Sequence, residues 1–376
     1  MKRILTIIKE PFLDRIPSLK TLLLDLCNHD CEIILLTSRS KRFSGLSTEH
    51  KNLKVITIEE RSRKFEIPTT LKILMKTCAV FFENKFDSVI GGDAWGNVIA
   101  SKLSWMYTCP YVFFALEFPQ IVTSEHKSLS RIEKWENQAL QNADFIITHD
   151  KFHKKFICDN FRVKDEKILL LANASFTPEY RKQSTFLHGK FNLQSDTITV
   201  LHSGGFGVWF KSLELANISK KWPKNMRLIF HIGRKPSEYR DFDAIYDKPG
   251  YENLNFSLTS LSNNQLDDMI SSADIGLALY SVKELSYRAE LMGLAAGKIG
   301  NYLKCGLPVI ASRMPSLKYI KDYGCGILVD EESEIENAVR IIMEKKESYR
   351  ENAFKCYREL WHPQNYLPEI HKKFYV

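Results

Sequence analysis

An α/β chain built of two open parallel sheets is predicted by three observations. Short apolar runs alternate with longer amphipathic stretches from one end to the other. Most of these runs are continuous rather than alternating, as strands buried on both faces should be. The alternation stops once, near residues 174–196, and then restarts. The chain has 376 residues, which accommodates roughly two domains.

In the first half, RILTII, CEIILLT, LKVITI, DSVIG, YVFFAL, DFIIT and KILLLAN read as strands. PSLKTLLLDLCNH and RIEKWENQALQNA read as helices between them; in the second, Ile132, Trp135, Ala139 and Asn142 recur at helical spacing. Right-handed βαβ units follow from this alternation. Residues 174–196 are polar and irregular, carry Pro178 and Gly189, and read as a linker or inserted loop. TITVLHSG, RLIFHIG, LNFSL, DIGLALY, PVIAS and GILV are then strands of a second sheet. ELANISKKW, NQLDDMISSA, the stretch before PVIAS and EIENAVRIIMEKK are its helices. The last segment, WHPQNYLPEIHKKFYV, holds Pro363 and a helix expected to cross back to the first domain. The predicted domains are 1–180, with 361–376 packed on it, and 190–360.

Composition narrows the function. The chain is 44% hydrophobic and 12% aromatic, with a net charge of +8, which suits full cores and anionic ligands or lipid. There is no arginine-rich tail, zinc-finger, RNP-type or basic-zipper pattern, so nucleic acid is not an expected partner. Eight scattered cysteines form no CxxC pair, which fits a reducing compartment. The apolar run in MKRILTIIKEPF stops at Lys9, too short for a signal peptide, and no run reaches 18 residues. The expected location is cytoplasmic, with peripheral contact on the inner face of a membrane. Residues 61–77 mix Arg61, Arg63, Lys64, Lys72 and Lys76 with Ile73, Leu74 and Met75. They read as an anionic-membrane contact or as an ordinary charged helix face.

Three stretches carry candidate chemistry. In HSGGFG, Gly204 and Gly205 allow backbone N–H groups to approach an anion, or simply make a tight strand–helix turn. In HIGRKP, Arg234 projects from a strand's carboxyl end, where it would neutralise a diphosphate or face solvent. In AAGKIGNYLKCGLPVIAS, Lys298, Asn301 and Tyr302 share a helical face. Lys298 near a helix start attracts phosphate, and Asn301 one turn on suits a ribose diol. Gly306 ends the helix and Pro308 opens the next strand.

DIGLALY, GLAAGKIGNYLKCGLPVIAS and GCGILVD together resemble the donor-binding half of GT-B fold nucleotide-sugar glycosyltransferases, particularly family 4. In that family a helix patterned K-x-x-E-Y-x-x-x-G-x-P-V-I precedes a strand. ENQALQNADFIITHD followed by KILLLANA resembles a second landmark, with Glu136, Ala143, Asp144 and Asn173 at its marked positions. The resemblance implies two Rossmann-like domains facing across a cleft. It implies that Lys298 meets the donor diphosphate and position 301 the ribose.

The pattern has departures. The family's two glutamates, with seven residues between them, fall here on Gly293 and Asn301. The sugar-contacting acid would then come from Glu284 or Glu290, unless these are solvated. IKEPFLDR replaces the glycine-rich loop after the first strand. Where relatives carry a catalytic-region histidine, PYVFFALEF offers Glu117, either as an acceptor-side base or as a buried structural carboxylate. His126 reads as a cap of the next helix. In ITHD, His149 and Asp150 point to opposite faces, so the pair reads as a helix start. No H-E-x-x-H, D-x-D or G-x-S-x-G motif appears, and no metal site is expected.

The expected activity is transfer of a sugar from a nucleoside-diphosphate sugar, a substrate rather than a cofactor, to a glycan or lipid-linked glycan acceptor. The resemblance implies retention of anomeric configuration, no metal requirement and a role in bacterial surface polysaccharide assembly. A sugar-nucleotide epimerase and a non-catalytic nucleotide- or partner-binding relative are the alternatives.

Overall fold

The computed structural model describes residues 1–11, 13–39, 48–60, 68–124, 126–236, 240–285 and 287–375. All the predicted runs form strands. In the first unit they are β1 (Lys2–Ile8), β2 (Cys31–Arg39), β3 (Leu53–Glu59), β4 (Ser88–Gly91), β5 (Tyr111–Phe114), β6 (Phe145–Thr148) and β7 (Ile168–Leu170). In the second they are β8 (Ile198–Ser203), β9 (Met226–His231), β10 (Leu254–Ser257), β11 (Ile275–Ala278), β12 (Val309–Ser312) and β13 (Gly326–Val329).

The first sheet has the order β3-β2-β1-β4-β5-β6-β7 and the second β10-β9-β8-β11-β12-β13, and every pairing is parallel. Register is set by apolar pairs such as Ile4↔Ile33 and Leu201↔Ile229. β4, β5, β6 and β11 are buried along their whole length, as the continuous apolar runs require. The edge strand β3 is half-exposed instead. Strand order reverses between β1 and β4 and between β8 and β11. In open α/β sheets such a point leaves a crevice outside the carboxyl ends of the strands.

Helices follow their signals. α1 (Pro17–Asn28) starts with Pro at its first position. α2 is Thr69–Glu83 and α3 is Ala94–Tyr107, capped by Asp93. α4 (Arg131–Asn142) opens with a full capping box of Ser130 and Glu133. His126 is therefore not the cap that its position suggested; its Nε2 lies 3.3 Å from Glu133 Oε2. α5 (Lys151–Phe161) is capped by Asp150, which accepts from the Phe152 and His153 N–H groups, so ITHD is a helix start.

The chain divides into two compact units, Met1–Phe176 with Pro363–Val376, and Thr177–His362. The C-terminal helix Leu367–Tyr375 thus belongs with the first sheet. Its Leu367, Ile370 and Phe374 enter the core formed by Ile4, Leu22, Leu26 and Phe145. Phe374 meets Phe145 edge-on at 5.2 Å. Leu201 and Leu228, Phe230, Ile275 and Ile310 are buried in the second unit.

Residues 174–196 are not a free linker. Tyr180 N–H donates to Lys304 O at 2.9 Å, and Tyr180 Oη to Asp268 Oδ1 at 2.6 Å. The Arg181 guanidinium covers the Phe354 ring at 4.2 Å. α6 (Phe186–Phe191) buries Leu187 completely. The polarity that suggested a linker serves these contacts on the second unit's surface.

Candidate functional site

The second sheet's crevice is built around one tyrosine. Tyr302, on the Gly297–Lys304 helix, is fully buried. Its Oη accepts from the Ser203 N–H at 2.7 Å and lies 3.3 Å from the Leu201 and Leu277 carbonyls. The β8–β11 ladder pairs only Ile275↔Val200 and Gly276↔Leu201; beyond that the hydroxyl serves the backbone groups that the parting strands leave open. The ring lies on Gly276, whose Cβ would come 2.5 Å from Tyr302 Cδ2. Expected at the donor, Tyr302 instead forms the floor of the crevice and has no surface for a ligand.

One turn earlier, Lys298 reaches over that floor. Its Nζ lies 3.5 Å from His202 Nε2, 4.2 Å from the Phe210 ring centroid and 5.5 Å from that of Tyr280. Among the described residues it has no carboxylate partner. The residue as a whole is half-buried, but its ammonium is walled by aromatic rings. Burial pushes its pKa down to about 7. The buried His202 donates from Nε2 to Gly205 O at 2.9 Å. Burial first, then the Lys298 charge, holds it well below the usual histidine range, so it is neutral. A desolvated, unpaired cation at the start of a helix, at a switch point, is an anion site in physical terms.

The glycines split. Gly204 N–H is already spent on His231 O at 2.9 Å, so it does not serve a ligand as expected. Its φ of +130° is closed to side chains, and a Cβ there would stand 3.5 Å from Lys298 Nζ. Its role is to turn the chain tightly beside the lysine. Gly205 is exposed, with its Cα packed against Phe210. Asn301 is half-buried and makes no side-chain hydrogen bond among the described residues, leaving its amide open. Arg234 is exposed in the turn after β9, one strand from the switch point. Neighbouring Lys235 pairs with Asp243 at 2.9 Å. Glu284 and Glu290 are both exposed on short helices, Val282–Leu285 and Tyr287–Glu290.

On the first unit, Glu117 lies three residues beyond β5 and is exposed. It is therefore not the buried carboxylate that the sequence left as its other reading. At this sheet's carboxyl edge Asp93 escaped the sequence reading, and His149, read only as part of a helix start, has a second role. Asp93, beside the β1/β4 switch, accepts from Gly96 N–H at 2.7 Å and Glu10 N–H at 2.8 Å, while burial pushes its carboxyl up. The strand–GGD–helix order around residues 91–94 was the available signal. His149 is buried between two carbonyls, Leu116 O and Leu171 O, each 3.2 Å from a ring nitrogen. Burial, then the neighbouring His153, pushes it down to about 4. Of the basic segment at 61–77, Arg61, Arg63 and Lys64 lie outside the described residues. On α2, Leu71, Leu74, Met75 and Lys76 are exposed.

No family model matches the sequence, and no curated protein matches it. Solved structures do match in fold. Sucrose-phosphate synthase from Thermosynechococcus elongatus superposes with a TM-score of 0.75 at 14% identity, over 100% of this chain and 98% of that one. Anabaena HepE in complex with UDP-glucose gives 0.71 at 12%, over 99% of each chain. WaaG, a glycosyltransferase involved in lipopolysaccharide biosynthesis, gives 0.68 at 14%, over 98% of each. The fold of this chain is accordingly the GT-B fold of two Rossmann-like domains.

Proposed function

We propose that this protein is a glycosyltransferase that takes its sugar from a nucleoside-diphosphate donor bound at the second unit. The observation that carries the reading is Lys298, an ammonium desolvated against Phe210 and Tyr280 with no anion to neutralise it among the described residues. A diphosphate supplies that anion. Asn301, one turn along the helix, presents an unused amide to the ribose. HepE holds UDP-glucose on the same fold, which supports a donor of this class. In transfer, the acceptor hydroxyl attacks the anomeric carbon, the bond to the diphosphate oxygen breaks, and negative charge grows on the leaving group. Lys298 and the helix N-terminus stabilise that charge. Glu117, exposed at the first sheet's carboxyl edge, is the proposed group for the acceptor proton. Retention of configuration, independence of metal and a role in surface polysaccharide assembly remain part of the proposal, through the sequence resemblance.

The acceptor reading includes a lipid-linked glycan. Phe82 at the end of α2 and Trp105 and Met106 at the end of α3 are 77%, 85% and 56% exposed. Tyr107 meets Phe82 edge-on at 5.7 Å. Aromatic side chains with lysines such as Lys76 and Lys102 nearby in sequence suit the headgroup zone of an anionic bilayer. No described helix is long and apolar enough to span one.

The test is incubation with a panel of nucleoside-diphosphate sugars, with and without membrane lipid extract. Transfer, or slow release of nucleoside diphosphate, supports the reading. An interconverted sugar nucleotide means an epimerase instead. Binding without any turnover leaves the non-catalytic alternative.

A further inference from the structure

Within the first unit, three side chains converge where the C-terminal helix meets α1. Asp25 lies in the last turn of α1, His29 follows its end, and His371 comes from the Leu367–Tyr375 helix. One carboxylate oxygen of Asp25 and one ring nitrogen from each histidine lie within 4.8 Å of one another. The two imidazoles are 4.4 Å apart, tilted by 57°. His371 Nε2 is in hydrogen-bond contact with Asp25 Oδ2. His29 Nδ1 lies 2.9 Å from the Asp25 carbonyl and 3.7 Å from Asp25 Oδ1.

We infer that Asp25, His29 and His371 form a zinc site that clasps the C-terminal helix to the first unit. The donor chemistry selects the ion. Two imidazole nitrogens and one carboxylate oxygen are a borderline set that suits Zn2+, and calcium or magnesium would demand more oxygens. A tetrahedral zinc ion holds its donors about 3–4 Å apart, so small side-chain rotations complete the site. With its Nδ1–H donated to the Asp25 carbonyl, the neutral His29 ring keeps a lone pair on Nε2 for the ion. A backbone acceptor fixing the other ring nitrogen is the usual way in which a ligating histidine is held. When zinc binds, the proton that His371 Nε2 shares with Asp25 relocates through solvent to Nδ1, leaving Nε2 to ligate. Water fills the fourth position, since His29 is exposed.

The location gives the site its consequence. The C-terminal helix is separated in sequence from the rest of its unit by the whole of Thr177–His362. It is held by Leu367, Ile370 and Phe374 in the core, and by polar ties such as Lys2 Nζ to Phe374 O at 2.6 Å and the Tyr375 hydroxyl to the His29 carbonyl. A metal joining α1 to this helix closes a very long loop. Its binding free energy then acts as stability of the first unit.

The experiment uses the full chain, stripped with EDTA, dialysed and titrated calorimetrically with ZnCl2. One zinc per chain is expected, with micromolar or tighter affinity, together with slower amide exchange in residues 367–375. His29→Gln and Asp25→Asn should each weaken binding about tenfold or more and abolish the zinc-dependent protection. His29 is exposed, so its variant has no core to disturb and serves as the reference if Asp25→Asn unfolds. No stoichiometric zinc binding, or binding equal in wild type and His29→Gln, would overturn the site.

Discussion

Lys298 and Tyr302 are one helical turn apart, and burial gives them different work. The ammonium of Lys298 has aromatic neighbours but no anion among the described residues, so Lys298→Ala should weaken sugar-nucleotide binding about ten- to a hundredfold, as loss of a charged hydrogen bond of roughly 1.5–3 kcal/mol predicts. Calorimetric titration checks it, and unchanged affinity in a folded variant would take Lys298 out of the site. The pH dependence has a definite sign. The free ammonium titrates near 7, and only its charged form attracts the diphosphate, whose own charge is constant in a sugar nucleotide. Affinity should therefore be flat below about pH 7 and fall above it, by up to about tenfold per pH unit. Tyr302→Phe should leave donor affinity nearly unchanged but cost about 1–3 kcal/mol in urea unfolding, because the Ser203 N–H loses its acceptor. Glu117→Gln should keep donor binding and reduce transfer by about 10²–10⁴-fold if the carboxylate takes the acceptor proton. Wild-type turnover would mean that another group does so.

At the scale of elements, caps and strand ends set local stability. α4 starts on the Ser130–Glu133 capping box, so Ser130→Ala should lower stability by about 1 kcal/mol without touching donor binding. His149 closes the carboxyl ends of β5, β6 and β7 by facing the Leu116 and Leu171 carbonyls. It titrates near 4 in the folded protein, against about 6.5 for an unperturbed histidine. Between these values the unfolded chain binds the proton and the folded one does not. Stability should fall as pH drops through this window, with a slope of up to about 1.4 kcal/mol per unit from this group, and level off below it. Urea midpoints from pH 7 to 4 measure the slope, and a flat profile would contradict the burial assigned to His149.

The whole molecule is two folding units, one continuous and one not. Unit Thr177–His362 carries its own sheet and core, whereas the first unit is completed only by the chain's last residues. Removing residues 363–376 strips Leu367, Ile370 and Phe374 from the first core, at roughly 1.5–3 kcal/mol for each buried side chain. The truncated protein should lose its first unit's unfolding transition or aggregate. The second unit should still bind sugar nucleotide in a Lys298-dependent manner. Loss of both activities together would show that the units depend on one another for folding.

The sequence by itself determined the secondary structure and the class of sheet. Continuous apolar runs can be buried on both faces only when helices cover them, so the thirteen strands among the described residues and their parallel pairing follow from local pattern. It also located Lys298 and the turn at Gly204, because a helix start and a glycine turn are local features. Tertiary structure alone decided what those residues do. Tyr302 and Lys298 share a face in sequence, but the parting of β8 and β11 draws one hydroxyl into the sheet and leaves the other side chain over the crevice. Residues 174–196 read as linker because their partners, Lys304, Asp268 and Phe354, lie about a hundred or more positions away. The Asp25, His29 and His371 cluster was invisible for the same reason: its third member is about 340 residues from the others. Spacing along a chain encodes period and turn. Which distant side chains meet depends on how the sheets close and where the last helix lands.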